Sequence, residues 1–346
     1  MATIRDVAQR AGVSVSSVSN VLNGRSDRMR KETLLRIEQA INELQFQPSR
    51  AALQLKTGQV SLLGLLVPSI VNPSFASLAH EVDIAARRYG YRVLLGNTYR
   101  NPAEENAFIN DLLSQGVRGV IVASTMVEQK FLHSALQRGL VMVNYDVQSQ
   151  PGCDTETAPQ TDRVSMDNFQ AGKLAAYHLI DRGCRRITFA TETGKSASRS
   201  SRINGFLSAV KEAGLSDSCT VLEGKAREGY GDAEMTELGK QLAEKIAQSS
   251  MMPQGIVAIN DMMAIGLIAG LRAQNIRVPQ DISIIGFDNT LMSALFTPSL
   301  TSVAPPLANM ATTMVERLME RLADNAIPAG EYLFSPQLVM RESVID

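Results

Sequence analysis

The 346-residue sequence predicts a small helical domain followed by an α/β body of two doubly wound lobes. Two observations carry that reading. Over the first 45 residues, apolar side chains recur at three- and four-residue steps, as short amphipathic helices require. From Val60 the pattern changes to short apolar strands alternating with amphipathic helices, and it runs through twice.

In the first helix Ile4, Val7, Ala8 and Ala11 form one apolar stripe, and Thr3 with Asp6 makes a capping-box-like start. Gly12 stands where the chain must turn sharply, a position suited to a residue without Cβ. Ser14 is expected to cap a second helix whose Val18, Val21 and Leu22 face inward. Its outward residues, Val15, Ser16, Ser17, Ser19 and Asn20, are short and uncharged, where a solvated helix would carry Lys and Glu. Short side chains without carboxylates suit a helix that enters a major groove. Leu34, Ile37, Ile41 and Leu44 predict a third helix closing a three-helix core. Arg30 and Lys31 at its start suit phosphate contact better than capping. Pro48 disfavours helix in the residue before it and ends this domain, 1–48. Within a linker, 49–60, Ser49 to Gly58 could form a helix too short to be stable alone.

In the body, 61–346, Ser61–Val67, Arg92–Gly96, Val117–Ala123 and Leu140–Asn144 read as parallel strands. Helices follow Asn72-Pro73, Asn101-Pro102 and Val127, the first two opening on an Asn cap and a proline. A second set begins near Val164: helix 168–182, strand Arg186–Ala190, helix 201–213 and strand Thr220–Leu222. Helix 232–247, strand Gly255–Ile259, helix 261–274 and strand Ile282–Phe287 complete it. A late helix, with Ala311, Val315, Leu318 and Leu322 on one face, should return to the first lobe. Gln148–Asp162 is a polar loop to which the sequence gives no role. Ligands of such folds sit at the carboxyl ends of strands. The residues at those ends are Ser74 and Phe75, Asp146, then Ser196, Ser198 and Arg202, and finally Asn260 and Asp288.

Three segments carry a resemblance: Thr3-Ile4-Arg5-Asp6-Val7-Ala8, Ala11-Gly12-Val13-Ser14 and Val18-Ser19-Asn20-Val21-Leu22-Asn23. They resemble, nearly residue for residue, the DNA-binding headpiece of the LacI/GalR family of bacterial transcription regulators, and the likeness continues to Arg341-Glu342-Ser343. The resemblance implies an α-helical helix-turn-helix headpiece joined by a hinge helix to a periplasmic-binding-protein-like body. It implies a sequence-specific repressor that binds a palindromic operator as a dimer, half-sites about one helical turn apart. The expected DNA contacts are Thr3, Ser14, Val15, Ser16, Ser19, Asn20 and Arg28 in the headpiece, and Arg50, Ala52, Leu55 and Lys56 in the hinge. Leu55 stands at the position of the leucine that wedges between base steps in the minor groove. Departures from the family are Asn20 where Arg is usual, Ser49 where Asn is usual and Leu53 where Arg is usual. Asparagine prefers adenine where arginine prefers guanine, so the half-site should differ at that base.

For the effector, the family's turn at Ser74 and Phe75 faces the ligand, and Arg202-Ile203-Asn204-Gly205-Phe206 matches the pattern of a ligand-binding arginine. Asp288 matches a carboxylate that accepts sugar hydroxyls, and Tyr230 is the candidate stacking aromatic of the second lobe. Asp, Asn, Arg and Ser around an aromatic suit a neutral sugar or sugar derivative and suit catalysis poorly. His80, His133 and His178 are far apart, and no HExxH, GxxxxGK or GxGxxG occurs. No catalytic residue, cofactor or metal is expected.

Charge supports a DNA-binding head. Residues 1–58 carry nine Lys/Arg against five Asp/Glu, so +4; the whole chain is −1, which leaves −5 for the rest. Cys153, Cys184 and Cys219 lack metal-ligand spacing and read as reduced cytosolic thiols. Arg5 and Asp6 interrupt any secretory signal, and Leu62 to Val71 is too short to span a bilayer, so a cytoplasmic protein is expected. A plain periplasmic-type sugar receptor would carry a signal and no helix-turn-helix. An α/β sugar-processing enzyme would need a catalytic base, a part Asp146 or Asp288 could play. The chain ends at Ser343-Val344-Ile345-Asp346 without a leucine-heptad tail, so a dimer is expected rather than a tetramer.

Overall fold

Helix α1 (Ile4–Ala11) begins at a capping box: Asp6 N–H donates to Thr3 Oγ1 (3.4 Å) and Thr3 N–H donates back to Asp6 Oδ2 (2.8 Å). The Thr3 N–H and the Thr3 hydroxyl, both donating to the Asp6 carboxylate, hold it below its ordinary pKa. Gly12 ends the helix at φ +65°, where its N–H reaches the carbonyls of Ala8 and Gln9. Helix α2 (Val15–Leu22) opens with Ser17 N–H donating to Ser14 Oγ (3.2 Å), the cap expected from the sequence. Helix α3 (Lys31–Glu43) starts at Arg30 without a side-chain cap. Val7, Ala8, Ala11, Val18, Ile37 and Ala40 form the buried core of these helices, with Val21, Leu22, Ile41 and Leu44 packed on it.

This computed structural model describes residues 2–22, 25–26, 29–46, 60–99, 101–123, 134–148, 161–194, 196–225 and 233–346. It divides into two units, Met1–Val60 and Ser61–Asp346. The expected hinge helix lies outside the described residues, as do the start of the helix after Val127, of which 134–137 are described and helical, and most of the polar loop Gln148–Asp162. No helix among the described residues is long and apolar enough to cross a membrane.

In the larger unit the first sheet contains β1 (Leu62–Val67), β2 (Arg92–Asn97), β3 (Gly119–Val122), β4 (Val141–Tyr145), β5 (Asp162–Met166) and the late strand β11 (Glu331–Phe334). Its order is β11-β5-β4-β3-β1-β2, every neighbour parallel, with Leu65 opposite both Leu95 and Ile121. Helices α4 (Pro73–Arg88) and α5 (Pro102–Ser114) follow β1 and β2, each with the Asn cap and N-terminal proline expected.

The second sheet contains β6 (Ile187–Glu192), β7 (Thr220–Gly224), β8 (Gly255–Ala258), β9 (Ser283–Phe287), β10 (Thr301–Ala304) and β12 (Gln337–Val339). Its order is β12-β10-β9-β8-β6-β7, with only the β10–β12 pair antiparallel. Helices α6 (Asn168–Asp181), α7 (Ala197–Glu212), α8 (Ala233–Ala247) and α9 (Asp261–Ala273) connect these strands, and the short α10 (Leu291–Leu295) follows β9. Helix α11 (Leu307–Ala323) returns to pack on α4 and the first sheet, as expected.

The structure corrects the sequence reading in three places. The second set does not begin near Val164, because Asp162–Met166 is β5, hydrogen-bonded inside the first sheet. Strands β10, β11 and β12 were not expected: each has three or four residues, and Glu331–Phe334 alternates between exposed and half-buried. Helix α7 starts at Ala197 rather than at 201. Ser196 is the serine that caps it, in a stretch offering several, and Arg199 N–H donates to its Oγ (3.3 Å).

One buried cluster covers both sheets, and it includes the Phe189 and Phe206 rings, 5.4 Å apart. Helices α6 and α7 cross at glycines. A Cβ on Gly172 would lie 1.9 Å from the Arg202 carbonyl oxygen, and one on Gly205 would lie 1.9 Å from that of Phe169. That crossing fixes the turn of α7 that carries Arg202.

Candidate functional site

Each sheet reverses its strand order once on the interior side, between β1 and β3 and between β6 and β8. Such switch points leave a crevice beyond the carboxyl ends of the strands. The segments leaving β1, β4, β6, β8 and β9 meet there around a cavity of about 140 Å³. Ser74, Phe75, Asp146, Ser196, Ser198, Arg202, Asn260 and Asp288 all line it, so eight of the nine effector positions named from the sequence converge; Tyr230 lies outside the described residues.

Three helices begin at this cavity. Asn72 Oδ1 accepts from Ser74 N–H (2.8 Å), Ser196 Oγ from Arg199 N–H (3.3 Å) and Asn260 Oδ1 from Met263 N–H (2.9 Å). The caps commit those oxygens, while the three positive helix ends favour electron-rich ligand oxygens.

Arg202 sits at the centre, with its side chain 12% exposed and its guanidinium 4.8 Å from the centre of the Phe287 ring. Its Nη1 donates to the Ile259 carbonyl (3.0 Å) and its Nε to Asn168 Oδ1 (2.7 Å). Two carboxylates flank it at 4.0 Å, Asp146 through Nη2 and Asp288 through Nη1. Asp146 also accepts from Asn168 Nδ2 (2.8 Å) and Ser165 Oγ (3.2 Å). Burial pushes the Asp288 carboxyl up, against the pull of Arg202, and Asp146 adds to the rise. Burial likewise raises the Tyr145 hydroxyl beside it.

Behind Asp288 lies Asp261, fully buried, accepting from Thr290 N–H (2.7 Å), Thr290 Oγ1 (3.1 Å) and Ser302 Oγ (2.7 Å). Burial, with the charge of Asp288, moves its carboxyl from 3.8 to about 7. A carboxyl raised on folding favours the folded state below its unfolded value, and that contribution is lost as pH rises toward 7. Asp261→Asn should therefore flatten stability between pH 5 and 8. Relative to the variant, the wild type loses on the order of 2 kcal/mol over that window. Urea midpoints at the two pH values check this, and equal pH dependence in both proteins contradicts it.

Sequence reasoning missed Tyr145, Arg199, Met235 and Ile259 as cavity-lining residues. Tyr145 and Ile259 each precede a residue that was named, and Arg199, ion-paired with Glu192 at 2.9 Å, lies among named neighbours. Met235 reaches the cavity from α8 and gave no local signal.

On the smaller unit Val15, Ser16 and Asn20 are exposed along α2, and Ser19 is half-buried. Ser14 Oγ lies 2.7 Å from Ser16 Oγ and 2.9 Å from Ser17 Oγ. The Thr3 hydroxyl already donates to Asp6 (2.8 Å). Arg28, Arg50, Ala52, Leu55 and Lys56 lie outside the described residues.

The family described as bacterial regulatory proteins, lacI family, matches residues 3–49, and a periplasmic binding protein-like domain matches residues 176–344. The HTH-type transcriptional repressor PurR of Aliivibrio salmonicida is 34% identical over 346 residues, 99% of each chain. A LacI family transcriptional regulator from Enterococcus faecium, solved with bound ribose, is 26% identical with a TM-score of 0.71, covering 82% of this chain and 98% of that one. The lac repressor dimer bound to operator and the anti-inducer ONPF shares the fold at a TM-score of 0.83 and 22% identity, over 100% of this chain and 99% of that one.

Proposed function

The chain belongs to the LacI family of bacterial regulatory proteins, a DNA-binding transcriptional repressor and not an enzyme, and we propose that a carbohydrate-like effector in the interlobe cavity controls it. It binds a near-palindromic operator as a homodimer in the cytoplasm, through a headpiece at 1–48 and a hinge at 49–60, and its body at 61–346 holds the effector.

The observation that carries the effector class is Arg202 between Asp146 and Asp288, 4.0 Å from each. Two carboxylates accept hydrogen bonds from hydroxyls, and the guanidinium donates to ring or hydroxyl oxygens. Phe75, Met235 and Ile259 supply apolar walls for the carbon skeleton. The ribose in the Enterococcus relative supports the same class. A thermal-shift panel of sugars, sugar acids, sugar phosphates and nucleosides tests it. A sugar that binds the folded state raises the Tm of the wild type and not of Asp288→Asn. A response confined to nucleosides or to phosphates rejects the class.

The homodimer draws support from exposed apolar side chains on α10, Leu291 at 74% and Leu295 at 67%. Leu291→Asp combined with Leu295→Asp should give a monomer by sedimentation and weaken operator binding at least about tenfold. A double variant that stays dimeric removes this face from the interface.

A further inference from the structure

We infer that Asn168 is a positioning residue that ties the two lobes together across the effector cavity and so sets the lobe angle on which control depends. The inference rests on the reading that the cavity takes the effector.

The chain passes from the first sheet to the second lobe at Met166–Asn168, where β5 ends and α6 begins. Asn168 is fully buried at that crossing. Its Nδ2 donates to Asp146 Oδ1 (2.8 Å), at the end of a first-lobe strand, to Ser165 Oγ (3.2 Å) and to the Met166 carbonyl (3.1 Å). Its Oδ1 accepts from Arg202 Nε (2.7 Å), on a second-lobe helix. A carboxylate only accepts and a guanidinium only donates, so the orientation of the amide is forced. Asp146 and Arg202 are 4.0 Å apart, too far for a direct hydrogen bond. Asn168 supplies the hydrogen bonds that join them. A ligand held by Asp146 and Arg202 must therefore share both with Asn168, and any pull on one lobe passes through the amide to the other. Only a side chain that donates and accepts at once can do this, so neither leucine nor ionised aspartate replaces it.

The test reads lobe separation in the full chain without any ligand, by electron–electron distance measurement. Spin labels go on Arg88→Cys in the first lobe and Lys211→Cys in the second, both exposed, with Cys153→Ser. Excess unlabelled chain leaves one labelled protomer in most assemblies. Asn168→Leu fills the space without hydrogen bonds and should raise the ratio of long to short distances about tenfold. Asn168→Asp accepts from Arg202 but cannot donate to Asp146 until protonated. It should match the leucine variant at pH 8 and return to wild type at pH 5.5, a rescue that simple space-filling would not give. The charged groups facing this position are Asp146, Arg202, the neighbouring Asp167 and, beyond Arg202, Asp288 with Asp261 behind it. Wild type measured at both pH values accounts for their titration. Wild-type distances in a folded Asn168→Leu, or an Asn168→Asp distribution that ignores pH, overturn the inference. If the leucine variant does not fold, the pH contrast of the aspartate variant decides alone. No ligand enters the measurement, so a failed effector panel leaves this result standing, and a failed tie leaves the panel standing.

Discussion

Leucine in place of Arg202 should keep salt-sensitive operator binding and remove its response to the effector, with the ligand-free affinity shifted as in Asn168→Leu because the same guanidinium anchors the tie between the lobes. Arg202 makes two hydrogen bonds, to Asn168 and to Ile259, stacks on Phe287 and stands between two carboxylates. A hydrogen bond to a charged group contributes about 1.5–3 kcal/mol, so losing the contacts to ligand weakens effector binding roughly ten- to a hundredfold or more. The protein changes as well. Without the guanidinium the Asp288 carboxyl, already raised by burial, rises further, because Arg202 is the group that lowers it. Operator titrations with and without effector, on variant and wild type, read the result. An effector response of wild-type size in Arg202→Leu would show that ligand recognition lies elsewhere.

Valine in place of Gly205 should cost about 3 kcal/mol of stability or more, through overpacking where two helices touch backbone to backbone. Even a bare Cβ there would lie 1.9 Å from the Phe169 carbonyl oxygen, 2.8 Å from its carbon and 3.1 Å from Lys173 N, all backbone atoms with no rotamer to change. The helices must separate, and Arg202, three residues away on α7, moves with them. Urea unfolding checks the loss of stability, and a midpoint equal to that of the wild type would mean the crossing is looser than described. The same variant should also bind effector more weakly, because Arg202 would lose its alignment with Asp146 and Asp288.

Much of this architecture was legible because the signals are local. Thr3 and Asp6 lie three residues apart, Gly12 occupies a left-handed turn, and Asn72-Pro73 and Asn101-Pro102 announce helix starts in two consecutive residues. The cavity was legible for a related reason. In a doubly wound sheet, the residues after strands are both the helix caps and the cavity lining, so Asn260 and Ser196 serve both roles. What escaped depends on partners distant in sequence. Asp162–Met166 joins the first sheet through pairing with Val143–Tyr145 and with Glu331–Phe334, the latter far along the chain. Asn168 looks like an ordinary helix start until Asp146 and Arg202 appear at either end of its amide. Asp261 follows a named residue, yet only burial against Thr290 and Ser302 reveals its raised carboxyl.

Control of the operator through the cavity is read by fluorescence anisotropy, with fragments from the gene's own upstream region and the sugar panel in solution. Binding should be salt-sensitive, and a sugar or sugar derivative should change it at least about tenfold, by differential affinity for the two lobe arrangements. Asp146→Asn should keep the salt-sensitive binding and lose the sugar's effect. Binding that no compound alters, or a sugar response that survives in Asp146→Asn, would contradict control through this cavity.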